Sequence, residues 1–216
     1  MMVKPRLLVA LLAALALATS LAACGADTAP PAGGAAPSGE GKLAGAVREP
    51  ALEVAAIALP NVADGGKPMS MKAASGELLL VYFGYTSCPD VCPTTLSDTS
   101  VALNDLPDDL AKRIKVAMVT VDPERDSAEI LTGYLAHFFD RTAALRTDDP
   151  AELLRATEAF GVQFEVEQHD PETTAPYAVS HSAITYVVDD TGRVVVEWPF
   201  GFESTDMTAD LTKLLS

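Results

Sequence analysis

The sequence predicts an α/β domain with a mixed central sheet flanked by helices. Continuous apolar runs at residues 78–83 and 114–121 predict strands that are buried on both faces. Helical segments follow both runs, and a hairpin signal comes near the end of the chain, at residues 189–192. Parallel strands joined by helices are therefore followed by an antiparallel pair.

The first half of the domain begins with the strand at 78–83. A turn that contains two cysteines then leads into a helix predicted at 91–106. The second strand, at 114–121, is rich in β-branched residues. A helix at 128–139 follows it and has Ser127 as its N-cap.

The second half begins at Pro150, which opens a helix that Gly161 ends. A short strand is predicted at 162–166, and strands at 183–188 and 193–198 flank the hairpin signal. A last helix spans 208–215. Apart from the short strand at 162–166, the order is β-α-β-α-α-β-β-α, which predicts a thioredoxin-like (peroxiredoxin-like) fold.

The first 23 residues have the pattern of a signal peptide. An apolar run at 7–18 follows Lys4 and Arg6, and twelve helical residues rise only about 18 Å, less than a bilayer core of roughly 30 Å. The sequence Leu21-Ala22-Ala23-Cys24 resembles a bacterial lipoprotein signal, which implies that Cys24 is acylated. The alternative is ordinary cleavage with Cys24 as a bystander. We expect a lipid-anchored protein on the extracytoplasmic face of the bacterial cell membrane.

Composition separates a tether from the globular domain. Residues 24–48 are dominated by Gly, Ala and Pro and predict a flexible tether, and the domain is predicted at 49–216. Loss of Lys4 and Arg6 with the signal peptide changes the net charge from −15 to −17. This acidity disfavours nucleic acid and anionic headgroups as partners, and favours a cationic partner or a metal ion. The alternative is that the charge only keeps the protein soluble.

Cys88 and Cys92 lie where a buried strand ends and a helix begins. Ligands bind at this edge of open α/β sheets, and we expect the helix N-terminus to lower the pKa of the thiols. Four residues apart, the two Cα atoms are about 6 Å apart, which permits either a disulfide or a shared metal ion. Two thiolates favour copper(I), zinc or iron–sulfur chemistry, but a structural zinc site needs four ligands.

Three histidines are candidates for a third ligand. His137 is predicted to cap a helix end, and His169 to lie in a solvated loop. His181 is predicted in a loop that enters the strand at 183–188. From the sequence alone it is either a metal ligand or a structural histidine. Met69 and Met71 alternate, which indicates an ordinary strand rather than a thioether copper site.

Three motifs in order along the domain carry a resemblance to a known family. They are Tyr82-Phe83-Gly84-Tyr85 through Cys88-Pro89-Asp90-Val91-Cys92-Pro93, then Val121-Asp122-Pro123-Glu124-Arg125-Asp126, and then Tyr177-x-Val179-x-His181. Together they resemble the SCO/SenC family over roughly residues 50–216. Its members are membrane-tethered thioredoxin-fold proteins that bind copper and help assemble the binuclear copper site of cytochrome c oxidase.

The resemblance implies a copper chaperone with Cys88, Cys92 and His181 as ligands and a cytochrome c oxidase subunit as partner. Ser180 stands where many members carry an acid, and Asp90 or Asp122 is the candidate replacement for that carboxylate. A reversible Cys88–Cys92 disulfide is predicted to exclude copper, because sulfurs bonded to each other are not thiolate ligands.

Two other functions use the same cysteines. A thiol–disulfide oxidoreductase would keep a partner's cysteines reduced, whereas the chaperone is not an enzyme. A peroxidase is disfavoured because no single activated cysteine stands among the expected Thr and Arg residues. The segment 122–126 has two open interpretations, a border of the copper site or a turn that caps the next helix.

Overall fold

The computed structural model describes residues 42–170 and 176–216. The predicted signal peptide, Cys24 and the tether up to residue 41 lie outside the described residues. Within the described ranges, no helix has the length and apolar character needed to cross a bilayer.

The domain contains nine strands and five α-helices in the described part of the chain. In the first half these are β1 (Ala58–Asn61), β2 (Lys67–Ser70), β3 (Leu78–Gly84), α1 (Val91–Asn104), α2 (Asp108–Ala111), β4 (Ile114–Thr120), α3 (Ala128–Ala136) and β5 (Thr142–Leu145). In the second half they are α4 (Pro150–Phe160), β6 (Phe164–Val166), β7 (Val179–His181), β8 (Ile184–Val188), β9 (Val194–Pro199) and α5 (Ser204–Leu215).

Seven strands form one mixed sheet in the order β2-β1-β5-β4-β3-β8-β9. The central strands β5, β4 and β3 are parallel, while β8 and β9 add an antiparallel hairpin. All seven residues of β3 are buried, as expected for a central strand covered on both faces. Strands β6 and β7 form a separate antiparallel pair. The predicted α/β, thioredoxin-like architecture is therefore confirmed.

Edge-to-face aromatic contacts fill part of the core beside β3. Phe83 and Phe160 have ring centroids 5.2 Å apart, and Phe160 and Tyr186 have centroids 5.0 Å apart. These aromatic contacts stabilise the packing of α4 and β8 against the central strand β3. Trp198 is also buried, whereas Phe200 is 46% exposed.

Several predicted boundaries were wrong. Helix α3 ends at Ala136 because the chain turns at His137 to enter β5, and α5 begins at Ser204, four residues before the prediction. Helix α1 ends at Asn104, and a separate short helix α2 follows. His181 belongs to strand β7 and not to a loop, because β6 supplies its pairing partner.

Residues 44–46 pack on the domain. The backbone N–H groups of Ala44 and Gly45 donate hydrogen bonds of 2.6 and 2.9 Å to the buried Asp210 carboxylate. Trp198 Nε1 donates to the same carboxylate at 3.1 Å. Ala46 then pairs with Glu197 on the outer edge of β9. The packed domain thus includes residues that composition had assigned to the tether.

Candidate metal centre

The turn between β3 and α1 positions both cysteines. Cys88 lies in the turn and is half-buried, while Cys92 lies in the first turn of α1 and is fully buried. The Cys92 backbone N–H donates a hydrogen bond to Cys88 Sγ at 3.3 Å. This N–H is one of the donors at the start of a helix that have no partner within the helix. Both cysteines are free thiols in this structure.

Strand β7 brings the imidazole to the cysteines. His181 pairs with Phe164 of β6, and the Tyr85 hydroxyl donates to the Val179 carbonyl at 3.2 Å, which connects β7 to the cysteine turn. His181 Nε2 lies 3.2 Å from Cys92 Sγ. The ligand atoms of Cys88, Cys92 and His181 all lie within 4.8 Å of one another, close enough to share one ion.

The other two histidines lie elsewhere. His137 is the C-cap of α3 and lines a separate cavity of about 460 Å³ near the C-terminal end of α1. His169 is not a freely solvated side chain, since its ring stacks on Tyr177 with centroids 3.6 Å apart and its Nε2 contacts Glu124 at 3.0 Å.

A backbone carbonyl orients the His181 ring. Nδ1 lies 3.1 Å from the Ser182 carbonyl oxygen, which only accepts hydrogen bonds, so Nδ1 carries the proton and the Nε2 lone pair faces Cys92. The expectation that Asp90 or Asp122 serves this ring was wrong. Asp90 is exposed beside Thr94, and the Asp122 carboxylate is bound by Arg125 and Tyr177.

Burial is the main cause of the pKa shifts of Cys92 and His181. It raises the pKa of Cys92 to about 12, against smaller opposing effects that include a backbone hydrogen bond with Tyr85. The expected lowering by the helix N-terminus is therefore wrong for this thiol. Burial also lowers the pKa of His181, although the Ser182 carbonyl favours the protonated ring. The metal-free centre thus holds a neutral thiol beside a neutral imidazole.

Asp126 braces the cysteine turn from the loop after β4. Its buried carboxylate accepts hydrogen bonds from the Thr86 N–H at 3.1 Å, the Thr86 hydroxyl at 2.5 Å and the Thr120 hydroxyl at 2.6 Å. Burial raises the pKa of Asp126, and the threonine hydrogen bonds oppose that rise. The segment 122–126 therefore serves both as a turn and as a border of the centre.

Arg125 joins this border to the segment before β7. Its guanidinium lies 3.8 Å from the Tyr177 ring centroid and 5.4 Å from that of Tyr85. It also forms an ion pair with the buried Asp122. These contacts hold the second and third sequence motifs together on one side of the cysteine turn.

Residues 60–216 match the sequence model of the SCO1/SenC family. The chain belongs to the SCO1/SenC family.

Individual SCO relatives agree in sequence and in fold. A SCO2-like protein of Rickettsia prowazekii is 36% identical over 118 residues, 55% of this chain and 56% of that protein. Apo Sco1 of Thermus thermophilus superposes with a TM-score of 0.69 at 30% identity, covering 82% of this chain and 99% of the other. ScoI of Bradyrhizobium japonicum, solved with copper bound, superposes with a TM-score of 0.61 at 30% identity, covering 73% of this chain and 96% of the other. The matches span 56–65% of the length of the bacterial relatives.

The SCO/SenC resemblance selected the three side chains that the fold brings together. It did not indicate the contact of Ser182 with His181, because a backbone carbonyl leaves no trace in side-chain identity. The role of Asp126 was also missed, although this residue ends the second motif. Its place in the loop that follows a buried strand, at the sheet edge that also carries the cysteine turn, could have indicated it.

Proposed function

We propose that this SCO/SenC protein is a copper chaperone that binds copper with Cys88, Cys92 and His181. Its proposed task is to deliver copper to the binuclear copper site of cytochrome c oxidase. The observation that carries the proposal is the imidazole, with its Nε2 lone pair 3.2 Å from Cys92 Sγ. Thiol–disulfide exchange needs two sulfurs and has no use for a third donor placed in this way.

The donor set suits both oxidation states of copper. Two thiolates are soft ligands that bind copper(I), and an added imidazole also suits copper(II). The residues present therefore fit a copper ion. Copper-bound ScoI of Bradyrhizobium japonicum supports this assignment.

The shape of the centre supports transfer. An open depression of about 400 Å³ is lined by His181 together with residues of β6 and the ends of β7. A partner's ligand would reach the His181 side of the centre through this depression, whereas Cys92 is fully buried. The proposed recipient is the oxidase subunit that carries the binuclear copper site.

The proposed location is the extracytoplasmic face of the bacterial cell membrane, with Cys24 as the lipid attachment point. The short apolar run ending before Leu21-Ala22-Ala23-Cys24 supports it. A net charge of −15 gives no support to a basic membrane patch, so attachment would depend on the lipid.

The alternative function is that of a thiol–disulfide oxidoreductase. The half-buried Cys88 thiol next to the buried Cys92 thiol favours it, since one accessible sulfur backed by a second is what exchange requires. A Cys88–Cys92 disulfide would remove both sulfur ligands, so oxidation and copper binding would exclude each other.

His181→Ala separates the two functions. In a deletion strain complemented with each variant, the chaperone proposal predicts loss of oxidase assembly for His181→Ala, as for Cys88→Ser. In His181→Ala, copper(II) binding should weaken more than copper(I) binding, because copper(II) is the harder ion and prefers nitrogen donors. His137→Ala is the matched control and should keep full activity. If His181→Ala is fully active while each cysteine variant is inactive, the oxidoreductase is correct.

A further inference from the structure

The hydroxyl of Tyr82 is buried beside the metal centre without a hydrogen-bond partner among residues 42–170 and 176–216. Tyr82 is the fifth residue of β3 and is only 1% exposed. A buried unpaired hydroxyl is costly and needs a physical reason.

Three observations place this side chain against the centre. A Cβ built on Gly84 would lie 2.7 Å from Tyr82 Cε1 and 3.0 Å from Cys92 Sγ, so those two atoms are less than about 6 Å apart. The Tyr82 ring also lies edge-on to the His181 imidazole, with centroids 5.9 Å apart. Burial raises the pKa of the Tyr82 hydroxyl, and Cys92 is the next contributor to that rise.

We propose that the Tyr82 hydroxyl donates a hydrogen bond to the Cys92 sulfur once that sulfur is bound to copper, which makes Tyr82 a positioning residue of the centre. The inference rests on the proposed copper ligands. A neutral thiol is a weak acceptor, whereas a metal-bound thiolate keeps lone pairs that accept strongly. Cys92 is fully buried, so water does not supply that donor.

The hydrogen bond would tune the metal centre. A donor aimed at a thiolate withdraws electron density from the sulfur and stabilises the buried negative charge. Hydrogen bonding around a cysteine sulfur is one of the ways in which proteins adjust copper–thiolate centres. Tyr82 would therefore set how strongly Cys92 donates electrons to copper, and phenylalanine would fill the same space without this effect.

Thr95 is the competing acceptor for the same hydroxyl. It lies one turn after Cys92 in α1, and its own hydroxyl proton goes to the Val91 carbonyl at 2.8 Å, which leaves its oxygen free to accept. A Tyr82–Thr95 hydrogen bond would leave the copper–sulfur bond unaffected, so a test has to distinguish the two acceptors.

The test uses the full chain loaded with copper(II) and compares Tyr82→Phe with the wild type. Loss of the hydrogen bond should move the thiolate-to-copper(II) charge-transfer band to longer wavelength. It should also weaken copper binding about tenfold in competition with a chelator. Tyr186→Phe is the matched control, because it removes another buried hydroxyl that has no partner in the described part of the chain, from a ring packed on Phe83 and Phe160. This control should leave band and affinity unchanged.

The outcomes are distinct. A Tyr82→Phe protein with the wild-type band and affinity overturns the inference, because that is the result expected if the hydroxyl donates to Thr95 and not to Cys92. A band shift in Tyr82→Phe alone supports it. Failure of the proposed copper ligands would look different, because the wild type itself would then lack the charge-transfer band.

Discussion

Gly84 leaves no room for a side chain at the end of the strand that carries the cysteine turn. An added Cβ would lie 2.7 Å from Tyr82 Cε1, 3.0 Å from Cys92 Sγ and 3.3 Å from Met118 Cε. The first two contacts are far shorter than a van der Waals separation, so the neighbouring atoms would have to move. Cys92 Sγ can therefore occupy its position only because residue 84 is a glycine and has no side chain.

Gly84→Ala should therefore destabilise the domain by about 1–3 kcal/mol and weaken copper binding, because the methyl group displaces Cys92 Sγ. Chemical denaturation and chelator competition measure the two effects. Gly133→Ala in α3 is the control. Apart from its own helix backbone and chain neighbours, no described atom lies within 4 Å of its Cβ position, and alanine favours a helix. Wild-type copper affinity in Gly84→Ala would contradict this account of the centre.

Copper binding should depend steeply on pH because of Cys92. Burial raises the pKa of this thiol to about 12, so copper must displace a proton to gain the thiolate throughout the neutral range. Proton release means that affinity rises with pH, by about tenfold or more per pH unit between roughly pH 7 and pH 9. The lowered pKa of His181 leaves its Nε2 already unprotonated there, so His181→Ala should keep this slope. A flat profile would refute the proton release.

Among the secondary-structure elements, the loop between β4 and α3 supports the turn between β3 and α1. The Asp126 carboxylate in this loop accepts hydrogen bonds from the N–H and the hydroxyl of Thr86 in the cysteine turn. It also accepts one from the Thr120 hydroxyl at the end of β4. A carboxylate accepts all three donors, whereas an amide would present its NH₂ to at least one of them. The cysteine turn is thus supported by a neighbouring strand end as well as by its own sequence.

We expect Asp126→Asn to destabilise the domain by about 1–3 kcal/mol and to speed hydrogen exchange of the Thr86 amide. Glu158→Gln on the exposed face of α4 removes the same charge and should change neither property. Denaturation midpoints and exchange rates check both variants. Slow exchange of the Thr86 amide in Asp126→Asn would mean that the backbone alone holds the turn.

Local signals decided which elements could be predicted. Helix α4 was predicted with its observed bounds because Pro150 begins it and Gly161, at φ 69°, ends it. Strand β5 was missed because Thr142-Ala143-Ala144-Leu145 carries little strand preference, and its conformation comes from pairing with β4. Strand β7 depends in the same way on β6.

The site needed more than local signals. The spacing of Cys88 and Cys92 predicted a pair at a helix start, which the structure confirms. His181 is 89 residues from Cys92, so no spacing rule connects them. Its place before a predicted strand left a ligand role open, and the family resemblance assigned that role. The raised pKa of Cys92 depends on its burial by the whole fold, which no short motif reports.

At the scale of the whole molecule, the two ends of the described chain meet. Asp210 of α5 accepts hydrogen bonds from Ala44 and Gly45, and the chain then runs along the edge of β9. An exposed edge strand invites pairing with another chain, and this segment covers part of that edge. The first described residues therefore lie beside α5, where Lys213 Nζ donates to the Lys42 carbonyl at 2.7 Å.

We propose that attachment to the membrane depends on acylation of Cys24. Cys24→Ala should move the protein from the membrane fraction to the soluble fraction, because the proposed lipid attachment point would be lost. Cys88→Ser should remain with the membrane. Fractionation followed by immunoblotting measures both. Membrane association and normal processing of Cys24→Ala would reject the lipoprotein interpretation.

The order of the ligands along the chain has a consequence during synthesis. Cys88 and Cys92 leave the ribosome together, four residues apart, and His181 follows 89 residues after Cys92. Two thiols that close together meet in an unstructured polypeptide, whereas the imidazole reaches them only after β6 and β7 have paired. Because cytosolic thiols stay reduced, oxidation of the pair has to wait for export. A three-ligand centre exists only once residue 181 has been made and β6 has paired with β7.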